Sequence, residues 1–282
     1  MAAYPAPSVA QLIRRDLARM TPNERRAAHR LLSDYPVAGL DTVARFGKAA
    51  GVSGPTVLRM IAKVGFEGYR SFQDALRTEL AERLETPLMK SLDILDDDPL
   101  GGFADAVIDN IRQTVASVPR TEFDEVVKLL ADRSRPAHLL GGRFTDSIAD
   151  YLFVHLRVLR PRVHRIVGEG MNRLDQLLDI GRRDVVVVFD IRRYSGDVAA
   201  FASRAAKRGA TVALLTDQWL SPVSRVAKHV LPARVVAPSV SDSAAGLLLL
   251  VEALLAMVAR ILGTEVSDRL ALIEAWRDDR PG

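Results

Sequence analysis

The chain has 282 residues, 48% of them hydrophobic and 26% charged, and no cysteine. That composition excludes a disulfide scaffold, a thiolate metal site and a cysteine nucleophile, and the length suits two domains of roughly 100 and 170 residues, each able to bury a core. The net charge of +4 is unevenly spread: residues 1–90 hold 14 Lys or Arg against 9 Asp or Glu, whereas the remaining 192 hold 25 against 26. A basic excess confined to one third of the chain suits a polyanionic partner, and equally a solubilising surface.

The first ten residues, "MAAYPAPSVA", lack a basic segment followed by an apolar core. No signal peptide is expected, and the reading is a cytoplasmic protein with no membrane partner. The longest apolar stretch, 244–262, is broken by Glu252 and Arg260 and reads as a buried amphipathic helix rather than a membrane span.

Residues 8–90 read as consecutive short helices. Val9, Leu12, Ile13, Leu17 and Met20 recur at helical spacing. Thr21 is a candidate N-cap with Pro22 at the first helical position, and that helix stops before Pro36. Asp41 is the expected cap of a helix running to about Ala50. Gly51 then ends it in a tight turn, and Ser53 caps a second helix over 54–64, with Pro55 in its first turn. A short helix, a Gly turn and a second capped helix are the parts of a helix-turn-helix. Val57, Ile61 and Val64 form the inward face of the second helix; Thr56, Arg59 and Lys63 form a polar face for a major groove. Ser53, Pro55, Thr56, Arg59 and Lys63 are therefore the candidate contacts to double-stranded DNA, with Arg59 suited to a bidentate contact with guanine. A plain amphipathic helix with a solvated face explains the same pattern.

"GVSGPTVLRMIAKVGFEGYRSFQ" resembles the N-terminal domain of the RpiR (MurR/RpiR) family of bacterial transcriptional regulators. The matching positions are Val52, Ser53, Thr56, Val57, Arg59, Gly65, Phe66, Gly68 and Tyr69. Upstream, Thr21, Pro22, Glu24, Arg25, Ala28, Leu31, Leu32 and Pro36 follow the family's rhythm. The resemblance covers about residues 8–85 and implies that the helix over 53–64 reads DNA.

"DDDPLGG" (96–102) reads as a break or hinge, followed by a helix from Phe103 to Val118. The expected organisation is a helical DNA-binding domain over 1–90, a linker and connecting helix over 91–119, and an α/β domain over 120–282. In that last part "AHLLGG" (137–142), "VHRIV" (163–167), "DVVVVFD" (184–190), "TVALLTD" (211–217) and "HVLPARV" read as strands. Between or after them come helical patterns at 145–159, "NRLDQLLDI", "SGDVAAFASRAAKRG", "SPVSRVAKH" and 241–262. Unbroken apolar strands alternating with helices imply a parallel sheet covered on both faces. The predicted fold class is thus an all-α helix-turn-helix domain followed by an α/β domain.

Ligands of such sheets sit beyond the strand C-termini, where helix N-termini favour anions. Two loops fall there. Arg192 and Arg193 supply fixed charge for phosphate or carboxylate, and Thr145 is a second candidate phosphate donor. Pairing of the arginines with Asp190, Asp217 or a partner subunit is the competing explanation. The half over about 120–262 resembles a SIS domain, the sugar-isomerase fold that in RpiR regulators senses phosphorylated sugars. Where the family has Gly-x-Gly-x-Ser, this chain has Gly141, Arg143 and Thr145. Where it has Ser-x-Ser-Gly-x-Thr, this chain has Asp190, Ile191, Arg192, Arg193, Tyr194 and Ser195. A hydroxyl-rich cradle has become an Arg-rich loop. Two readings follow: an anion site rebuilt for a different acid, with Gly141, Arg143, Thr145, Asp190, Arg192, Arg193 and Ser195 as its residues, or a site converted to internal pairing.

An isomerase needs a general base, and Glu169, His164 and Glu252 are the candidates. The five histidines show no metal-ligand spacing, and Gly-rich nucleotide motifs are absent. The reading is therefore a regulator, not an enzyme, with no cofactor and no metal. It binds an inverted-repeat operator as a homodimer or tetramer, paired through 244–262, and responds to a small anionic effector. The alternatives are a sugar-phosphate isomerase with a helical extension, and a regulator whose second domain is a ligand-free oligomerisation module.

Overall fold

The computed structural model describes residues 8–84 and 98–278. Two compact units emerge. One holds the chain up to Pro119 together with Thr216–Arg225 and Pro232–Gly246; the other holds Arg120–Leu215, Val226–Leu231 and the chain from Leu247 onward.

The first unit is helical: α1 Val9–Asp16, α2 Pro22–Ser33, α3 Val43–Ala50, α4 Gly54–Lys63, α5 Tyr69–Leu84 and α6 Pro99–Ser117. Its helix starts follow from local chemistry. Ser8 and Thr21 each make a capping box, with Gln11 and Glu24 reaching back to the cap amide. Thr42, not Asp41, caps α3: its hydroxyl accepts from the Arg45 N–H, and Asp41 accepts from Thr42 instead. The run at 96–102 is not a break throughout. Asp98 accepts from the Gly101 N–H, so α6 starts at Pro99, four residues earlier than the glycines suggest; Asp96 and Asp97 lie outside the described residues.

Burial of Ile13, Ala27, Ala28, Leu31, Phe46, Val57, Met60, Ile61, Phe72 and Leu76 makes this unit's core. A polar cluster sits beside it. Glu79 of α5 accepts the Val9 N–H at 2.6 Å and the Tyr35 hydroxyl, so α5 supplies an acceptor for an orphan amide at the start of α1. Burial pushes the Glu79 carboxyl up to about 7. The segments from later in the chain are bound by side chain to backbone. Ser8 Oγ donates to the Gln218 carbonyl (3.0 Å), Arg225 Nε to that of Ser33 (2.9 Å) and Asn110 Nδ2 to that of Val236 (2.6 Å), while Thr114 Oγ1 accepts the Arg234 N–H (2.9 Å).

The second unit opens with α7 Arg120–Ala131, which the strand-rich reading of this region misses. There follow β1 Ala137–Gly141, α8 Asp146–Leu159, β2 Val163–Arg165, α9 Gly170–Asp175, β3 Val185–Asp190, α10 Gly196–Lys207, β4 Thr211–Asp217, β5 His229–Ala233, α11 Ala245–Leu262 and α12 Thr264–Asp278. "SPVSRVAKH" forms only a 3-10 turn at Pro222–Arg225, since Pro222 and five polar residues leave little apolar face for a longer helix to bury. The helix expected from 241 begins at Ala245, and α12 went unread because its apolar residues are scattered round its circumference; Leu270, Leu272 and Trp276 are exposed.

The sheet order is β2-β1-β3-β4-β5, and β1 pairs in parallel with both β2 and β3. Its strands read as continuous apolar runs because they are buried on both faces: all six residues of β3 are buried. Arg160, fully buried, closes the far end of α7 by donating to the carbonyls of Leu130 (2.8 Å) and Asp132 (3.1 Å), and burial lowers its guanidinium to about 10. Helix α11 is apolar and long enough to cross a membrane, but Leu247, Leu250, Val251, Leu254 and Val258 are buried in the protein, and Glu252 accepts from the Tyr151 hydroxyl (3.1 Å).

Candidate DNA-reading helix and anion crevice

The turn between α3 and α4 is set by two glycines. Gly51 is left-handed (φ 65°), and a side-chain carbon on Gly47 would stand 2.9 Å from the Val52 carbonyl oxygen. The turn swings α4 against α2 and α3 and buries Val57, Met60, Ile61 and Val64.

The polar face expected of α4 divides. At 100° per residue, Pro55, Leu58, Arg59 and Ala62 fall within about 60° of one line along the helix, and Thr56 and Lys63 stand about 80–100° away. All four of the first group are exposed; Thr56 is buried. The Thr56 hydroxyl lies 2.9 Å from that of Ser53 and accepts from Arg59 Nη2 at 3.1 Å. Ser53 holds the N-cap position, yet its hydroxyl turns to Thr56 rather than to a helix amide. Lys63 Nζ donates to Glu24 at 2.6 Å and to the Arg19 carbonyl at 3.2 Å. Glu24 is 3% exposed and also accepts from the Thr21 N–H. Burial would raise its carboxyl, but the bonds from Lys63 and Thr21 outweigh that and hold it low. Lys63 thus ties α4 to the start of α2. Arg59, 63% exposed at the side chain, stands forward from this base, its Nε 3.9 Å from Glu24. Leu58, 42% exposed, walls a depression of about 410 Å³ together with Arg59, Ala62, Phe66, Glu67 and Gly68. Sequence reasoning did not place Leu58 and Ala62 on this exposed face, and it missed the role of Glu24, although Thr-x-x-Glu at 21–24 is the capping-box pattern.

The second site lies at the C-terminal ends of β1 and β3. The chain leaves these neighbours in opposite directions, toward β2 and toward β4, which opens a crevice at the switch point. Gly141 lets α8 start hard against β1; a side-chain carbon there would stand 2.3 Å from Asp146 Cα. Five of the seven residues expected here, Arg143, Thr145, Asp190, Arg192 and Arg193, line one small pit, and Gly141 and Ser195 lie next to it in the chain. Gly142, Arg143, Phe144, Thr145, Asp190, Ile191, Arg192 and Arg193 enclose a pit of about 10 Å³, room for about one water. Ser195 caps α10, its hydroxyl accepting from the Val198 N–H, and its own amide donates to Asp190 Oδ1 at 3.3 Å.

The Thr145 hydroxyl, expected to donate to a phosphate, is committed elsewhere. It donates to the Phe189 carbonyl at 2.6 Å and accepts from the Gly142 N–H at 2.9 Å, clamping the two loops together. Asp190 and Arg192 are buried and each already interacts within the protein. Arg143 and Arg193 are exposed, Arg143 with its guanidinium 5.1 Å from the Phe144 ring centre. Arg193 is left-handed at φ 70°, in the place where the family pattern has glycine.

Of the candidate bases, Glu169 is exposed at the start of α9 and Glu252 is bonded to Tyr151. His164 stacks on His138 at the opposite end of β1 from the crevice, with ring centres 5.0 Å apart. Burial, and then His164, lower the His138 imidazole. Among the described residues no group of three or more His, Asp or Glu could hold a metal ion.

A helix-turn-helix domain of the rpiR family matches residues 8–83, and a SIS domain matches residues 130–260. The chain is an RpiR-family transcriptional regulator. It is 25% identical over 219 residues to an uncharacterized HTH-type transcriptional regulator of Haemophilus influenzae, spanning 75% of each chain. It is 24% identical over 213 residues to another from Providencia stuartii, spanning 74% of each. The sugar isomerase domain of an RpiR transcription factor from Sphaerobacter thermophilus superimposes with TM-score 0.59 at 26% identity, over 64% of this chain and 99% of that one. The Vibrio vulnificus NanR protein complexed with ManNAc-6P shares the fold, with TM-score 0.55 at 19% identity over 94% of this chain and 97% of that one. The RpiR-family regulator therefore joins a helix-turn-helix DNA-binding region to a SIS-type parallel α/β domain.

Proposed function

We propose that this regulator reads duplex DNA through α4, led by Arg59, and that the crevice at the ends of β1 and β3 receives a small anionic metabolite that modulates that binding. One observation carries the sensing half: Arg143, Arg192 and Arg193 converge with the starts of α8 and α10 at the switch point of the sheet. The anion is a sugar phosphate, as in the NanR complex of the same fold, or a related acid. In this reading the protein is cytoplasmic and pairs through α11, whose Leu248, Leu249 and Leu255 remain half-exposed, and the pair meets an inverted-repeat operator. No catalytic step is assigned.

The pit as folded is far smaller than the roughly 300 Å³ of ordinary ligand sites, so binding requires the 190–195 loop to move outward. The same smallness favours a second reading, in which the domain is a ligand-free oligomerisation module. Thermal unfolding against a panel of sugar phosphates and small carboxylates separates the two. An effector at 100 times its dissociation constant adds about 2.7 kcal/mol of stability, a shift of several degrees, which Arg192→Ala removes while leaving DNA binding without effector unchanged. A flat response across the panel sinks the sensing half and leaves the module.

A further inference from the structure

We infer that Leu58 is a sequence-reading residue of α4, seating the C5-methyl group of a thymine next to the base met by Arg59. The inference rests on the proposed reading of DNA through α4 and adds to it the kind of base step that is read. The exposed line of α4 carries one cation, Arg59, set among Pro55, Leu58 and Ala62. The other polar side chains assigned to the helix are engaged within the protein: Thr56 is buried, Ser53 is bonded to Thr56, and Lys63, though exposed, is held by Glu24. A face meant for phosphate alone gains nothing from a half-exposed leucine at its edge, because water solvates that leucine at a cost which only an apolar partner relieves. In the major groove the apolar group on a base edge is the thymine methyl, whereas guanine offers the two acceptors that suit arginine.

The geometry supports adjacency. Leu58 and Arg59 are successive residues, both exposed, and both line the same 410 Å³ depression. Arg59 is steadied by Thr56 at 3.1 Å and stands 3.9 Å from Glu24, so its position is fixed relative to the leucine beside it. The expected contact is a guanine flanked by thymine.

The test uses the full chain. Duplexes enriched from a random pool are compared at one fixed salt concentration with the same duplexes carrying deoxyuridine for thymidine, which removes only the methyl groups. Wild-type protein should lose about fourfold in affinity for each methyl contacted. Leu58→Ala should bind the thymidine duplex about as weakly as wild type binds the deoxyuridine duplex, and lose little more when the methyls go. Wild-type protein indifferent to the substitution, or Leu58→Ala keeping the full thymidine preference, overturns the inference while leaving α4 as the DNA reader. If no duplex is enriched over a scrambled one, the reading of DNA through α4 fails and this inference with it.

Discussion

Helix α4 and the loop leaving β3 are built from similar parts, a hydroxyl residue near a helix start and arginine close by, yet their side chains end in opposite conditions. On α4, Arg59 stands 63% exposed on a base of buried partners. In the crevice, Arg192 is buried, Thr145 is fully bonded, and the space left is about 10 Å³. The difference is one of support. A helix lying on a core has an inner face to spend on packing and an outer face left over. A loop between two strands has no such division, and its polar groups satisfy one another first.

The largest effect on folding should come from breaking the crevice clamp. Thr145→Val removes the hydroxyl that serves both the Gly142 amide and the Phe189 carbonyl, in a site that admits about one water. Each backbone group loses one bond but keeps the other, since the Gly142 N–H also donates to the Phe189 carbonyl at 2.9 Å, so unfolding in urea should show a loss of about 1–2 kcal/mol, the worth of two net hydrogen bonds. A variant as stable as wild type would mean that the loops open readily, which favours the sensing reading. Arg59→Ala should do the reverse: folding stability changes little, while specific DNA binding weakens by about 1–3 kcal/mol and discrimination at one base pair relaxes. Equal losses on specific and scrambled duplexes would reduce Arg59 to a phosphate contact.

The division between inside and outside explains what the sequence made legible. The alternation of apolar strands with helices named the sheet, because strands buried on both faces leave an unmistakable run such as Val185–Phe189. Gly51 and Pro55 announced the helix-turn-helix, because their backbone demands are local. Helical spacing alone cannot tell which residues of a polar stripe a neighbour claims: Thr56 is buried, and Lys63, though exposed, is bonded to Glu24 from 39 residues away. Thr145 was misjudged for the same reason, its acceptor Phe189 being 44 residues distant. Residues with local roles were readable and those with long-range partners were not.

Lys63→Met sharpens the contrast within α4. It should leave base discrimination intact and cost stability instead, by about 1 kcal/mol, a figure kept small because the lysine side chain is 37% exposed. The cost depends on pH. Glu24 is held below its ordinary 4.5 in the folded protein, so its contribution is complete above that value and fades as pH falls through the folded value. The stability gap between wild type and Lys63→Met should therefore narrow in acid. A gap constant from pH 7 to pH 3 would show that packing of the lysine stem, not its charge, joins α4 to α2.

The smallest effect tests the cost of an arginine at the left-handed position of the crevice loop. A non-glycine residue at φ 70° carries about 1–2 kcal/mol of backbone strain, and Arg193 gains nothing visible from burial because it is exposed. Arg193→Gly relieves the strain but frees the unfolded chain, which returns about 0.4–1 kcal/mol. The balance is a gain of about 0.5–1 kcal/mol, or a rise of one to three degrees in Tm. Arg193→Ala keeps the strain and should show no such gain, so the pair of variants separates backbone from side chain. If both variants melt below wild type, the guanidinium makes contacts worth more than the strain, and the loop belongs with the satisfied interior. If glycine alone melts higher, the arginine is held at a cost to folding, and a ligand is the natural beneficiary.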